Sequence, residues 1–256
     1  MISIKSNREI ELMKHAGYIN YLTHEEVKKH IKVGITTKEL DKIAYDFIAK
    51  NDCIPSFLNY QGFPGTICAS INDVVVHGIP GNTKLKNGDI ISIDIGVAYQ
   101  GYHSDAARTY VVGDAPDEIK NLVANTEKSL YNGLSVIKEG ARIGDIGAAV
   151  TAVANESNYG VVRELVGHGV GTSIHEDPDV PNFGKPNTGL VLKAGMVLAV
   201  EPMLNLGSRY VYLDDDDWAI RTDDGKPSAH FEHTVVVTKE GYEILTGDKN
   251  GESKIK

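Results

Sequence analysis

Leu85-Lys86-Asn87-Gly88-Asp89-Ile90-Ile91-Ser92-Ile93-Asp94 and Leu192-Lys193-Ala194-Gly195-Met196-Val197-Leu198-Ala199-Val200-Glu201 are two versions of one pattern. Each opens on Leu-Lys-x-Gly, passes through an apolar strand-like run and closes on a carboxylate, at a constant offset of 107 residues. Upstream, Lys32-x-Gly34 followed by Glu39-Leu40 is echoed by Lys138-x-Gly140 followed by Asp145-Ile146. His77-Gly78-Ile79-Pro80 is echoed by His175-Glu176-Asp177-Pro178. Each match is short, and one alone would pass for coincidence. Four in the same order point to a duplication. The order in each half is two helices, H-x-x-P, then a strand ending in a carboxylate. Such a chain forms a single domain, 1–256, from pseudo-repeats at about 6–113 and 117–246, with strands of both halves meeting at a pseudo-twofold axis.

The helices carry their own signals. Ser6 and Glu9 form a capping box, S-x-x-E, that opens a helix over 6–30, and Thr36 with Glu39 opens a second. Leu40, Ile43, Ala44, Phe47 and Ile48 recur at helical spacing. A second pair is expected over 117–138 and 144–157. Strands are expected at Ile90–Ile95, Thr109–Val112, Met196–Val200 and Thr234–Val237. Asp214 to Asp217 reads as a solvated loop, and the tail after Gly247 as polar and frayed.

Composition narrows the function. Acidic residues outnumber basic ones, 35 to 26, for a net charge of −9, which excludes a broad basic face for nucleic acid. Cys53 and Cys68 make no disulfide framework and lack the C-x-x-C spacing of a structural zinc site. Met1-Ile2-Ser3-Ile4-Lys5 does not begin a signal peptide, and no apolar run approaches the ~18 residues of a membrane span. These features predict a cytoplasmic protein.

The repeat superimposes Asp94 on Glu201, each closing an apolar run where a carboxylate is costly unless paired or metal-bound. Asp105 stands just before the expected strand Thr109–Val112, and Glu232 just before Thr234–Val237. Each acid alone reads most simply as a surface or capping residue. The symmetric set of four, converging on one axis, requires cations to neutralise it. His168, between glycines in Gly167-His168-Gly169-Val170-Gly171, completes a mixed oxygen and nitrogen set. Such a set suits two borderline or hard divalent ions. Two ions sharing a bridging water suit peptide hydrolysis. His77 and His175, equivalent in the repeat, are expected to flank them and to donate hydrogen bonds to a peptide.

These residues resemble the type I methionine aminopeptidases in their short bacterial form, of peptidase family M24. The likeness runs from about Ile4 to Thr246 through Ile71-Asn72…His77-Gly78-Ile79-Pro80, Gly88-Asp89…Asp94, Gly101-Tyr102-His103-Ser104-Asp105, the Gly167–Gly171 run, His175-Glu176-Asp177-Pro178, Val200-Glu201-Pro202 and Glu232-His233-Thr234. The resemblance implies the α/β (α+β) pita-bread fold, an antiparallel-rich curved sheet covered by two helix pairs. It implies removal of the initiator methionine from nascent proteins, favouring a small second residue. Asp105 and Glu232 would bridge two metal ions, Asp94 would chelate one, and His168 and Glu201 would bind the other. Glu201 would also act as general base and acid, His77 would contact the scissile nitrogen and His175 would steady the oxyanion. Tyr60, Phe63, Cys68 and Trp218 would line the methionine pocket with His77 and His175; for Phe63 and Cys68, ordinary core is the competing reading. Cobalt, manganese, iron and zinc all accept this ligand set. The implied partners are nascent polypeptide N-termini; the ribosome is admitted as a second, although no ribosome-binding surface can be read, and relatives suggest a monomer, while charge and hydropathy predict no nucleic-acid or membrane partner.

Two positions depart from the family pattern. A hydroxyl residue common after the second aspartate is Ala106, and a glutamine common two residues before the last glutamate is His230. Two other readings compete. A prolidase or aminopeptidase P relative would carry a large N-terminal domain before its catalytic unit. A non-catalytic binding module on the same fold would have lost metal ligands.

Overall fold

The computed structural model describes residues 2–248. The expectation of a frayed tail after Gly247 therefore falls almost wholly outside the described residues. Four helices follow the two halves: α1 (Asn7–His30), α2 (Thr37–Lys50), α3 (Asp117–Ser135) and α4 (Ile143–Ser157). The first half carries β1 (Ile54–Pro55), β2 (Ile67–Ile71), β3 (Val74–Val76), β4 (Ile90–Tyr99) and β5 (Tyr102–Val111). The second carries β6 (Gly160–Val161), β7 (Gly167–Gly169), β8 (Glu176–Val180), β9 (Val197–Val200) and β10 (Met203–Asn205). It continues with β11 (Val211–Leu213), β12 (Ile220–Thr222), β13 (Ser228–His230), β14 (His233–Val237) and β15 (Tyr242–Ile244).

Both expected capping boxes form. Ser6 N donates to Glu9 Oε2 at 2.7 Å and Thr36 N to Glu39 Oε2 at 2.8 Å, each satisfying an amide that the helix leaves without a partner. α3 stops at Ser135, three residues short of expectation. The chain there is captured by the sheet: Glu139 N donates to Thr238 O and Gly140 N to Leu192 O, while Ile137 turns into the core.

Among the described residues, all strand pairings are antiparallel. β2, β4 and β1 lie side by side with β5 on β4, and β15-β14-β9-β7-β8 form the other large sheet. Two three-stranded sheets, β13-β10-β6 and β11-β12-β3, join them. α1 and α2 bury Ile19, Leu40 and Ile48 against Ile91, Ile93 and Ile95. α3 and α4 bury Leu130, Leu134 and Ile146 against Leu198, Val200 and Val235. Each such side chain contributes about 1.5–3 kcal/mol by leaving water, so each helix pair is held by its apolar stripe.

The two halves repeat at the level of single hydrogen bonds. Gly34 N donates to Leu85 O at 2.8 Å and Leu85 N to Ile35 O at 2.9 Å; Gly140 N donates to Leu192 O at 2.9 Å and Leu192 N to Ala141 O at 2.8 Å. Gly88 and Gly195 turn the chain into β4 and toward β9 with φ of 90° and 89°, a conformation that disfavours a side chain.

The seam between the halves is built in the same symmetric way. Glu232 N donates to Ala107 O at 2.9 Å. Thr234 Oγ1 bonds the main chain of Asp105, and Thr109 Oγ1 bonds the main chain of His230. The three contacts run antiparallel along β5 and the 230–234 segment, placing Asp105 near Glu232.

Two sequence expectations need correction. Asp94 lies in the middle of β4 rather than at its end, and Asp105 lies inside β5 rather than before it. Gln100 and Gly101, with φ of 49° and 82°, form a two-residue hairpin loop that extends both strands. Its register sets Asp94 opposite Ala107 and Asp105 opposite Gly96. The two aspartates are therefore diagonal neighbours on one face of the sheet.

Candidate active site and metal centre

Local pairing assembles the cluster. β9 pairs with β14 so that Val200 faces His233, leaving Glu201 and Glu232 at adjoining ends of the same two strands. β7 pairs with β9 so that His168 faces Ala199, two residues before Glu201 and on the same face. With Asp94 and Asp105 from the first sheet, five side chains meet at the seam. His168 Nε2 lies 3.6 Å from Glu201 Oε1 and 3.8 Å from Asp105 Oδ2.

Three triplets offer ligand atoms within 4.8 Å of one another: Asp105, His168 and His175; His168, Glu201 and Glu232; and Asp94, Asp105 and Glu232. Asp94 Oδ1, Asp105 Oδ1 and Glu232 Oε1 are buried with no hydrogen-bond partner. Buried carboxylate oxygens without partners cost several kcal/mol each unless neutralised. Burial pushes the Asp94 carboxyl up to about 7 and Glu201 up to about 8. It pushes Asp105 and Glu232 well above the usual range, and repulsion from the neighbouring carboxylates adds to it. A divalent cation removes both penalties, so the donor set fits one.

The imidazole is prepared for the same role. His168 Nδ1 lies 2.9 Å from Gly169 O, a carbonyl that can only accept, so Nδ1 carries the proton. Nε2 is left with its lone pair facing Asp105 and Glu201, the arrangement of a metal-bound histidine with a backbone carbonyl behind it. Burial lowers its pKa to about 3, so it stays neutral.

The cluster forms the floor of a cavity of about 490 Å³ whose lining includes His77, His175, Tyr60, Phe63, Cys68 and Trp218. Phe63 and Cys68 are buried and belong to one apolar cluster with Phe57 and Ile174, against which Tyr60 and Trp218 pack. Core and pocket wall are thus the same residues here. The Phe63 and Trp218 rings meet edge to face at 5.1 Å. Trp218 is aimed by the acidic run before it: Asp216 Oδ1 accepts from the amides of Trp218 and Ala219 at 2.9 and 2.8 Å.

His77 and His175 both border the cavity. Burial lowers the His77 pKa to about 4. His175 stands at the exposed mouth, its Nδ1 3.1 Å from the Tyr60 hydroxyl and its ring 4.3 Å from that of His168. His230, noted in the sequence only as a departure, also lines the cavity. Its Nε2 is buried without a hydrogen-bond partner, 3.6 Å from Glu201 Oε2. Phe57 and Ile174 had no sequence signal beyond being apolar.

The model of metallopeptidase family M24 matches residues 11–239. Methionine aminopeptidase 1 of Bacillus subtilis is 55% identical over 96% of this chain and 99% of its own length. The methionine aminopeptidase of Clostridium perfringens is 48% identical with the same coverage. The crystal structure of the methionine aminopeptidase from Rickettsia prowazekii matches with a TM-score of 0.95 at 43% identity, over 96% of this chain and 100% of that one. The prolidase from Pyrococcus furiosus shares the fold alone, with a TM-score of 0.76 at 22% identity, and only 66% of it is covered.

Proposed function

The chain belongs to the methionine aminopeptidases of metallopeptidase family M24, and we propose that Asp94, Asp105, His168, Glu201 and Glu232 hold two divalent ions for its reaction. The reaction is hydrolytic removal of an N-terminal methionine. The observation that carries the ligand assignment is the convergence of these five side chains with three buried carboxylate oxygens left without partners. The ions, whether cobalt, manganese, iron or zinc, would supply Lewis acidity toward the peptide carbonyl and toward water.

The chain's own residues do the rest. Glu201 takes the proton of the attacking water and returns it to the departing amide nitrogen. His77 donates to the scissile nitrogen. With Nδ1 of His175 accepting from the Tyr60 hydroxyl, its Nε2–H is free to donate to the developing oxyanion. Phe63, Cys68 and Trp218 surround the thioether with polarizable, apolar surface and exclude water. Binding of the free α-amine near the cluster makes the enzyme an exopeptidase.

The finer substrate picture is a nascent polypeptide with a small second residue, met in the cytoplasm near the ribosome by a monomer built as one duplicated domain. Metal-stripped protein assayed on a Met-Ala-Ser peptide, with each ion added back, tests the reading. Activity should be lost on stripping and regained with up to two ions per chain. Full hydrolysis without any divalent ion, or preference for a Xaa-Pro peptide, would contradict it.

A further inference from the structure

The N-terminal segment before α1 reaches the active-site loop. Residues 170–175 connect β7, which carries His168, to β8, which opens on Glu176, and they carry His175. The Glu176 carboxylate organises this turn. Its Oε1 accepts from Thr172 Oγ1 at 3.3 Å and Ser173 N at 3.2 Å. Its Oε2 accepts from Ser3 Oγ at 3.1 Å and Lys5 Nζ at 2.7 Å. Two donors thus come from within the turn and two from the far end of the sequence.

Lys5 is buried unusually deeply for a lysine. Its side chain is only 6% exposed, and its ammonium also contacts Ser3 Oγ. Its amide donates to Gly195 O at 2.8 Å, which anchors the segment to the turn that leads into β9 and Glu201. A methyl group at Gly171 would overlap both Glu176 Oε1 and Lys5 Nζ. The last glycine of the Gly167–Gly171 run is therefore the space in which this ion pair sits. A methyl group at Gly195 would likewise press on Ile4. Three distant segments are shaped around one salt bridge, one residue away from His175.

Taking a lysine and its partner carboxylate this far out of water is costly, so the pair adds little net stability. The geometry points to a positioning role. We infer that Lys5, through Glu176 and with help from Ser3, is a positioning residue that fixes the His175 loop over the metal cluster. This rests on the oxyanion role proposed for His175. With the loop freed, His175 can swing away from its place beside Tyr60 and His168 while the five ligands stay put. Loss should therefore fall on turnover, not on metal content or substrate affinity.

The test uses zinc-loaded, full-length enzyme. Lys5→Met should lower kcat on a Met-Ala-Ser peptide about tenfold and change KM less than about twofold, with metal content unchanged. Ser3→Ala, which is expected to fold normally, should lower kcat in the same direction by about twofold. In a His175→Ala background, Lys5→Met should add less than about a twofold further loss, because the two act through one group. The imidazole NMR signals of His175 should shift in both strap variants. An unchanged kcat in Ser3→Ala and Lys5→Met, an equal loss with His175 already removed, or unmoved His175 signals would each overturn the inference. Normal turnover by His175→Ala alone would instead remove the oxyanion role, while the His175 signals would still report on the strap.

Discussion

The main chain of Asp105 and the side chain of Thr234 exchange two hydrogen bonds across the seam between the two halves. The Asp105 amide donates to Thr234 Oγ1 at 2.9 Å, and the Thr234 hydroxyl donates to Asp105 O at 2.7 Å. Thr109 makes the same clasp with His230, at 2.8 and 2.9 Å. The two clasps flank Glu232 and hold its carboxylate near that of Asp105, within reach of one cation.

Replacing Thr234 by valine keeps the shape but strands the buried amide of Asp105. The expected cost is about 1–3 kcal/mol of folding stability, read by urea denaturation of the metal-free protein, together with weaker metal binding by calorimetry. Thr109→Val should cost stability similarly. A loss below about 0.5 kcal/mol for both would mean that the seam is held by packing instead.

Glu201→Gln should lower kcat by about 10²–10⁴-fold, the usual range for a lost general base, with circular dichroism unchanged. His175→Ala should lower kcat more than it raises KM, as expected for a contact made mainly in the transition state. Steady-state kinetics separates the two effects; a change confined to KM would make His175 a binding residue only.

Removing the metal should leave a protein whose stability falls as pH rises from 6.5 to 8. Asp94 and Glu201 ordinarily titrate near 3.8 and 4.5 but are raised to about 7 and 8 in the fold. Between those limits the folded state holds more protons than the unfolded chain, so stability declines with pH. His77 and His168 act oppositely. Lowered from 6.5 to about 4 and 3, they favour the folded state increasingly as pH approaches 6.5 and add nothing further above it. Only the carboxyl trend survives above pH 6.5, worth roughly 1.4 kcal/mol per pH unit for each group still titrating. Denaturant unfolding of stripped protein checks this, and saturating zinc should abolish the decline.

Trp218→Ala should raise KM for methionine peptides several-fold, with kcat changed less, because the ring closes the apolar pocket against Phe63. Side-chain truncation of this kind forfeits about 1–3 kcal/mol of apolar contact. Comparable kinetics for the variant and parent would remove Trp218 from the pocket.

Much of this protein is written locally. Ser6 with Glu9 and Thr36 with Glu39 mark helix starts because a capping box closes within four residues. The repeat of Leu-Lys-x-Gly before Asp94 and Glu201 is legible because each half folds by the same short-range rules. Asp94 and Glu201 stand out because each closes an apolar run, Asp105 and Glu232 because they complete the symmetric set beside strands, and His168 because glycines flank it. The tertiary structure alone decided the rest. The hairpin at Gln100-Gly101 moved Asp94 and Asp105 into strand interiors, the seam set Asp105 against Glu232, and Lys5 found Glu176 across 171 positions. It also set His230 Nε2, which has no hydrogen-bond partner, 3.6 Å from Glu201. Periodicity and capping act over a few residues and leave a trace in the letters. Register between strands and the partner of a buried charge depend on which distant surfaces pack together, and no local pattern records that.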